Sequence, residues 1–162
     1  MNAARVGMDP VDLLDVLCTE RLSELVKTWM LDNGRQGQQI PTIISDMMPS
    51  ASPTDSIVPF VHAYIEEGED TDGESTTSIG IIIVTYSQDK DGWRDCKNLA
   101  FAIRRGLLQQ RMVGRYRLLL PLKYRGVSQL EASERSFPTH YFRLTTTWQM
   151  ALILEELPDG LL

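Results

Sequence analysis

The 162-residue sequence predicts an α+β fold: a mainly antiparallel sheet of about four strands with two helices packed on it, in the order α-β-β-α-β-β. Three observations lead there. Apolar residues recur at helical spacing in two segments, one ending near Leu31 and one running from Trp93 to Leu107. Two further segments, 116–124 and 140–152, alternate in side-chain type from one residue to the next, the mark of a pleated strand, and 57–65 is apolar on both alternating sets, as a strand covered on both faces is. Strands come in runs between the helices, without the repeated crossover rhythm of a parallel sheet.

Asp9-Pro10 opens the first helix, with an acceptor at the cap and proline in the first turn. Leu14, Leu17/Cys18, Leu22, Leu25 and Trp29 form its stripe, and Asn33-Gly34 supplies the stop. After a polar linker, Thr42-Ile43-Ile44 fits a short edge strand, and 49–56 is a loop by composition. Segment 57–65 reads as a strand covered on both faces; Pro59 cannot donate to a ladder and places it at an edge or at a strand's beginning. Glu66 to Thr76 reads as a long acidic loop, mobile or ordered by a partner.

Residues 79–111 are the expected centre of the fold. An apolar strand, Ile79 to Tyr86, leads through the polar turn 87–92 into a helix whose stripe is Trp93, Cys96, Ala100, Ile103 and Leu107. Asp91 suits the helix N-cap. In the next strand Tyr116, Leu118, Leu120, Leu122 and Tyr124 are expected on a buried face, with Arg117, Lys123 and Arg125 on a basic one. The last strand directs Phe142, Leu144, Thr146, Trp148 and Met150 one way. The whole reads as one domain over 1–155, with 1–34 as the N-terminal helical part, 57–152 as sheet plus central helix, and 156–162 as a flexible tail.

The net charge of −6 is unevenly placed. Nine basic and two acidic residues lie between Arg104 and Arg143, whereas the first 95 residues are acid-rich. Cys18 and Cys96 sit one per helix, as core residues of a reducing compartment do. The N-terminal residues lack the blocks of a signal peptide, and no apolar run reaches the roughly 20 residues of a membrane span, so a cytoplasmic protein is expected. His62 and His140 have no metal-ligand spacing around them. Asp89, Asp91 and Asp95 do not fit a calcium loop, and no phosphate-cradling or nucleophile-elbow motif occurs. These residues predict no enzyme, no cofactor and no metal.

One resemblance goes further. Pro59-Phe60-Val61 opens a strand and is followed by the Glu-Gly-Glu-Asp segment; the apolar run Ile79–Val84 continues into Thr85-Tyr86-Ser87-Gln88-Asp89 and Asp91-Gly92-Trp93-Arg94-Asp95. Then come Asn98-Leu99, Ile103-Arg104, Arg115-Tyr116-Arg117-Leu118 with Pro121-Leu122, and Tyr141-Phe142 with Thr145-Thr146-Thr147-Trp148. In order and spacing this resembles the tail terminator (tail completion) proteins of long-tailed bacteriophages and prophages. The resemblance covers rather more than half of the chain and leaves out its first 56 residues.

The resemblance implies a virion protein, assembled in the host cytoplasm, that forms a ring, commonly a hexamer. Such a ring caps the tail tube, stops its growth and joins the head connector. The implied partners are the chain itself, the tail tube protein and the head-tail connector protein, with no membrane and no sequence-specific nucleic acid, though DNA passes through such a ring's lumen. A head-to-tail ring needs two different complementary patches per subunit. The expected pair is acidic segment 66–76 against basic zone 104–125, and the expected interface residues are Glu66, Glu67, Glu69, Asp70, Asp89, Arg105, Arg117, Lys123 and Arg125. Two other readings remain: another head-tail connector or tail tube component, and a small metal-dependent nuclease using Asp89, Asp91 and Glu66.

Overall fold

Two helical rods lie on one face of a six-stranded sheet in the computed structural model, which describes residues 9–35, 40–46, 60–86, 92–126 and 139–150. The first rod is α1 (Asp9–Val16), a π-helical segment (Leu17–Leu22) and α2 (Ser23–Asp32); the second is α3 (Gly92–Gln109). The strands are β1 (Thr42–Ser45), β2 (Phe60–Asp70), β3 (Ser75–Tyr86), β4 (Met112–Val113), β5 (Tyr116–Gly126) and β6 (Thr139–Gln149). Their order across the sheet is β1-β2-β3-β6-β5-β4. β1 runs parallel to β2 and every other pairing is antiparallel, so the sheet is mixed.

The α+β class stands, but four strands become six and the order becomes α-β-β-β-α-β-β-β. Of the two additions, β1 is the short edge strand that Thr42-Ile43-Ile44 suggested, and β4, only two residues long, carries no periodicity of its own. β1 takes the edge and β2 is the second strand, so of the two places open to Pro59, an edge or a strand's beginning, the edge is taken by β1; β2 is described from Phe60, and Pro59 lies outside the described residues.

The acidic segment is also corrected. Glu67 to Asp70 pair with Ser78 to Ser75, so β2 and β3 form one hairpin reaching well past the apolar core. Only 71–74 make the turn, closed by the Thr71 N–H and hydroxyl on the Glu74 carbonyl at 2.7 and 3.0 Å. The β-branched Thr76 and Thr77 of β3 supply the template that the acidic strand lacks in its own composition.

The helix-covered face is apolar across the sheet: Val61 and Ala63 of β2, Ile79, Ile81 and Ile83 of β3, Leu144 and Trp148 of β6, and Tyr116 and Leu118 of β5 are all at most 1% exposed. From α3, Cys96, Leu99, Ala100, Ile103 and Leu107 close over it, and from the first rod Leu13, Leu17, Leu22 and Val26 do the same. The rods approach closely where Gly106 of α3 faces Leu25, whose Cδ2 lies 2.3 Å from where a Cβ would stand. Asn33-Gly34 stops the first rod as expected: Gly34 takes φ +64°, its N–H reaches the Leu31 carbonyl, and Arg35 N–H reaches Met30.

β5 departs from strict alternation. Between Leu119 and Lys123 the register with β6 slips, so that three residues of β5 stand against one of β6. Leu120, expected inside, is 52% exposed, and Tyr124 is 48% exposed at the rim.

Candidate functional site

Among the described residues both long outer strands of the sheet are only half covered. β1 pairs with Phe60 to Ala63 of β2, and among the described residues no strand lies outside the rest of β2. β4 pairs with Tyr116 and Arg117 of β5, and Leu118 N–H reaches the Arg111 carbonyl; beyond that, no described strand flanks β5 to Gly126. Among the described residues each edge is therefore a step, with a short capped part and a long bare part.

The bare parts differ in charge. On β2 they present Glu67, Glu69 and Asp70, all exposed; on β5 they present Lys123 and Arg125, also exposed, with Arg117 just inside the cap. The two sets lie at opposite edges, separated by β3 and β6, so they cannot meet within one subunit. Cross-strand register puts Glu67 and Glu69 in line with Ser78 and Thr76, and Lys123 and Arg125 in line with Thr145 and Arg143. All four thus point to the second face of the sheet, away from the helices.

Two expected residues sit elsewhere. Arg105 is exposed on α3 beside the groove between the rods, lined also by Trp29, Asn98 and Gly106. Glu66 is turned inward: it forms an ion pair with Arg143 and accepts a hydrogen bond from the Tyr64 hydroxyl at 3.2 Å. Tyr64 lies flat across the second face because Gly80 has no side chain; a Cβ there would stand 2.6 Å from its Cζ. The Arg143 guanidinium sits 5.9 Å from the Tyr64 ring centroid, and His62 stacks on the same ring at 5.0 Å. This cluster had no sequence signal, because the bulge at Glu66 that aims the carboxylate depends on pairing with β3. Asp89 and Asp91 lie outside the described residues.

At the basic edge the exposed Tyr124 ring meets Phe101 of α3 edge-on at 5.4 Å, and the Arg104 guanidinium sits 5.0 Å from its centroid. The strand rim is thus an aromatic shelf beside cations. Among the described residues no three His, Cys, Asp or Glu side chains gather as a metal site would need. Burial pushes the Cys18 and Cys96 thiols up to about 12, so both are held as neutral, unreactive core groups. His62 binds the Asp46 carbonyl through Nε2. No described helix is long and apolar enough to cross a membrane.

No family model matches the sequence, and no curated protein does. Among solved structures, a protein without a functional name is similar at TM-score 0.55 and 13% identity, over 92% of this chain and 98% of its own. That likeness shows a shared fold. A chain from the virion of a native gene transfer agent particle reaches TM-score 0.44 at 15% identity, over 92% of this chain and 98% of that one. That score is too low to bear on the fold.

Proposed function

We propose that this chain is a structural virion subunit, a tail terminator that assembles as a ring, with six subunits expected. The ring sits on the end of the tail tube, stops its growth and joins the head-tail connector; it is built in the host cytoplasm and ends in the virion tail. The observation that carries this reading is the pair of half-covered strand edges, acidic on one side of the sheet and basic on the other. One subunit with two different complementary edges has the contacts a head-to-tail ring requires. The resemblance running from Pro59 to Trp148 supports the same role, since it covers β2, β3, α3, β5 and β6, the elements that build both edges. Of the carboxylates a nuclease would use, the described one, Glu66, is engaged by Arg143 and Tyr64.

Light scattering over a concentration series, alone and with the cognate tail tube protein, tests the reading. A discrete ring mass, and tubes capped at one end in electron micrographs, are expected. Open-ended filaments would reassign the chain to the tube. A monomer at every concentration, with and without tube protein, would overturn the ring.

A further inference from the structure

Resting on the ring reading, we infer that neighbouring subunits join by continuing the sheet, the bare edge of β2 in one copy pairing antiparallel with the bare edge of β5 in the next. Register, backbone direction and charge meet in a single alignment.

Direction comes first. β2, β3, β6 and β5 each run antiparallel to the next, so β2 and β5 point opposite ways. Two copies in the same orientation, as around a ring axis, therefore bring these edges together as an antiparallel pair.

Backbone polarity comes second. The Ser75 carbonyl accepts from Met150 N–H, on the β6 side of β3. Along β3 the groups of Ser75 and Thr77 therefore turn toward β6, and those of their partners Asp70 and Gly68 turn outward. On β5, Leu118 N–H points outward to Arg111, and Tyr124 is in phase with it because the slip in register is by two residues. Gly68 and Tyr124 thus offer outward amide and carbonyl groups to each other.

Setting Gly68 opposite Tyr124 places Glu67 opposite Arg125 and Glu69 opposite Lys123. These four fall in the closely spaced, non-hydrogen-bonded positions, where opposite charges stabilise a pair of strands and like charges destabilise it. All four side chains point to the same face, as derived above from the registers. The exposed Tyr124 ring meets a glycine on the other face, an arrangement in which an aromatic side chain covers the bare backbone. Like edges, acid on acid or base on base, are rejected.

Shape comes third. In this alignment the neighbour slides along the strands by four residues, about 13 Å. That offset carries the β4 cap past Asp70 and leaves the β1 cap short of Gly126, so among the described residues the two steps interlock. A stagger between tilted strands is also what closes a sheet on itself.

The test uses the full-length chain. Lys123→Glu/Arg125→Glu, and separately Glu67→Lys/Glu69→Lys, change only exposed residues, and circular dichroism melts monitor folding. Each double variant is expected to shift the midpoint of self-association at least tenfold in concentration, most strongly at low salt. Mixing the two is expected to restore rings of alternating subunits. Glu67→Cys/Arg125→Cys is expected to give an intermolecular disulfide ladder that stops at the ring size, with Cys18 and Cys96 too buried to interfere. Rings that survive both charge reversals and give no ladder would overturn sheet continuation while leaving the terminator reading intact. A wild-type chain that never associates, even with tube protein, would overturn both.

Discussion

The two faces of the sheet are built on different principles. The helix-covered face is a continuous apolar layer in which Trp148 is fully buried and its one polar atom is satisfied locally, Nε1 donating to Thr146 Oγ1 at 2.8 Å, which itself donates to the Ile79 carbonyl at 2.8 Å. The second face buries Phe60 and Val84 at one end and, beyond them, is organised by polar side chains laid over one glycine: Tyr64 on Gly80, with Glu66 and Arg143 bound to each other beside it. Burial of area holds the first face, and geometry holds this polar part of the second. Damage to the first should therefore scale with volume removed, and damage to the second with partners left unpaired.

The largest separation of the two principles is expected at Trp148→Ala, which should lower the unfolding free energy by about 3–5 kcal/mol in urea titrations. Arg143→Met should cost less, about 1–2 kcal/mol, because the pair is partly solvated and loses mainly the partner of Glu66. Combining it with Glu66→Gln should recover part of that loss; a fully additive result would show that the ion pair contributes nothing beyond its two side chains.

Tyr116 joins the two regimes, a ring in the apolar layer whose hydroxyl donates to Asp12 Oδ2 at 2.6 Å. Burial, and then that bond, push its phenol up from 10.0 to about 12. The raised value means that its contribution to stability is complete below about pH 10 and is lost as pH climbs through about 12. Absorbance titration should show late-ionising tyrosine, to which half-buried Tyr141 also contributes, and Tyr116→Phe should shrink that step by one group at a cost of about 1 kcal/mol. The smallest effect concerns the thiols. A disulfide reagent at pH 8 should label neither Cys18 nor Cys96 in the native protein and both after denaturation, with no change in stability on the timescale of the assay.

Much of the covered face was legible, because burial imposes its period on the sequence: the α3 stripe of Cys96, Ala100, Ile103 and Leu107 and the β6 residues Leu144 and Trp148 lie where the spacing put them. The second face and the edges were not. Glu67 to Asp70 look like a loop because no apolar surface demands alternation there; they are a strand because Ser75 to Ser78 lie beside them. Leu120 alternates with Leu118 yet is exposed, since a slip in register is a property of two strands and not of one. Of the acidic and basic residues singled out from charge alone, Glu67, Glu69 and Asp70 fall on one edge and Arg117, Lys123 and Arg125 on the other, whereas Glu66 turns to Arg143, Arg105 lies on α3 and Asp89 is outside the described residues. Which strand neighbours which is a long-range fact, and charge composition carries no trace of it.

The π-helical segment of the first rod has a consequence of its own. Ser23 N–H reaches back five residues to the Cys18 carbonyl, so one residue more than an α-helix needs is wound into that turn. Each residue of an α-helix advances the stripe by about 100°. Ahead of the wide turn, Asp12 is in phase with Tyr116 of β5; beyond it, Leu25 is in phase with Gly106 of α3. The rod is in effect a shaft with a keyway cut partway along it, indexed to the sheet's rim at one end and to the second helix at the other. Removing a single residue from that turn would leave a straighter helix and put its two ends out of step, so that only one of the two could seat.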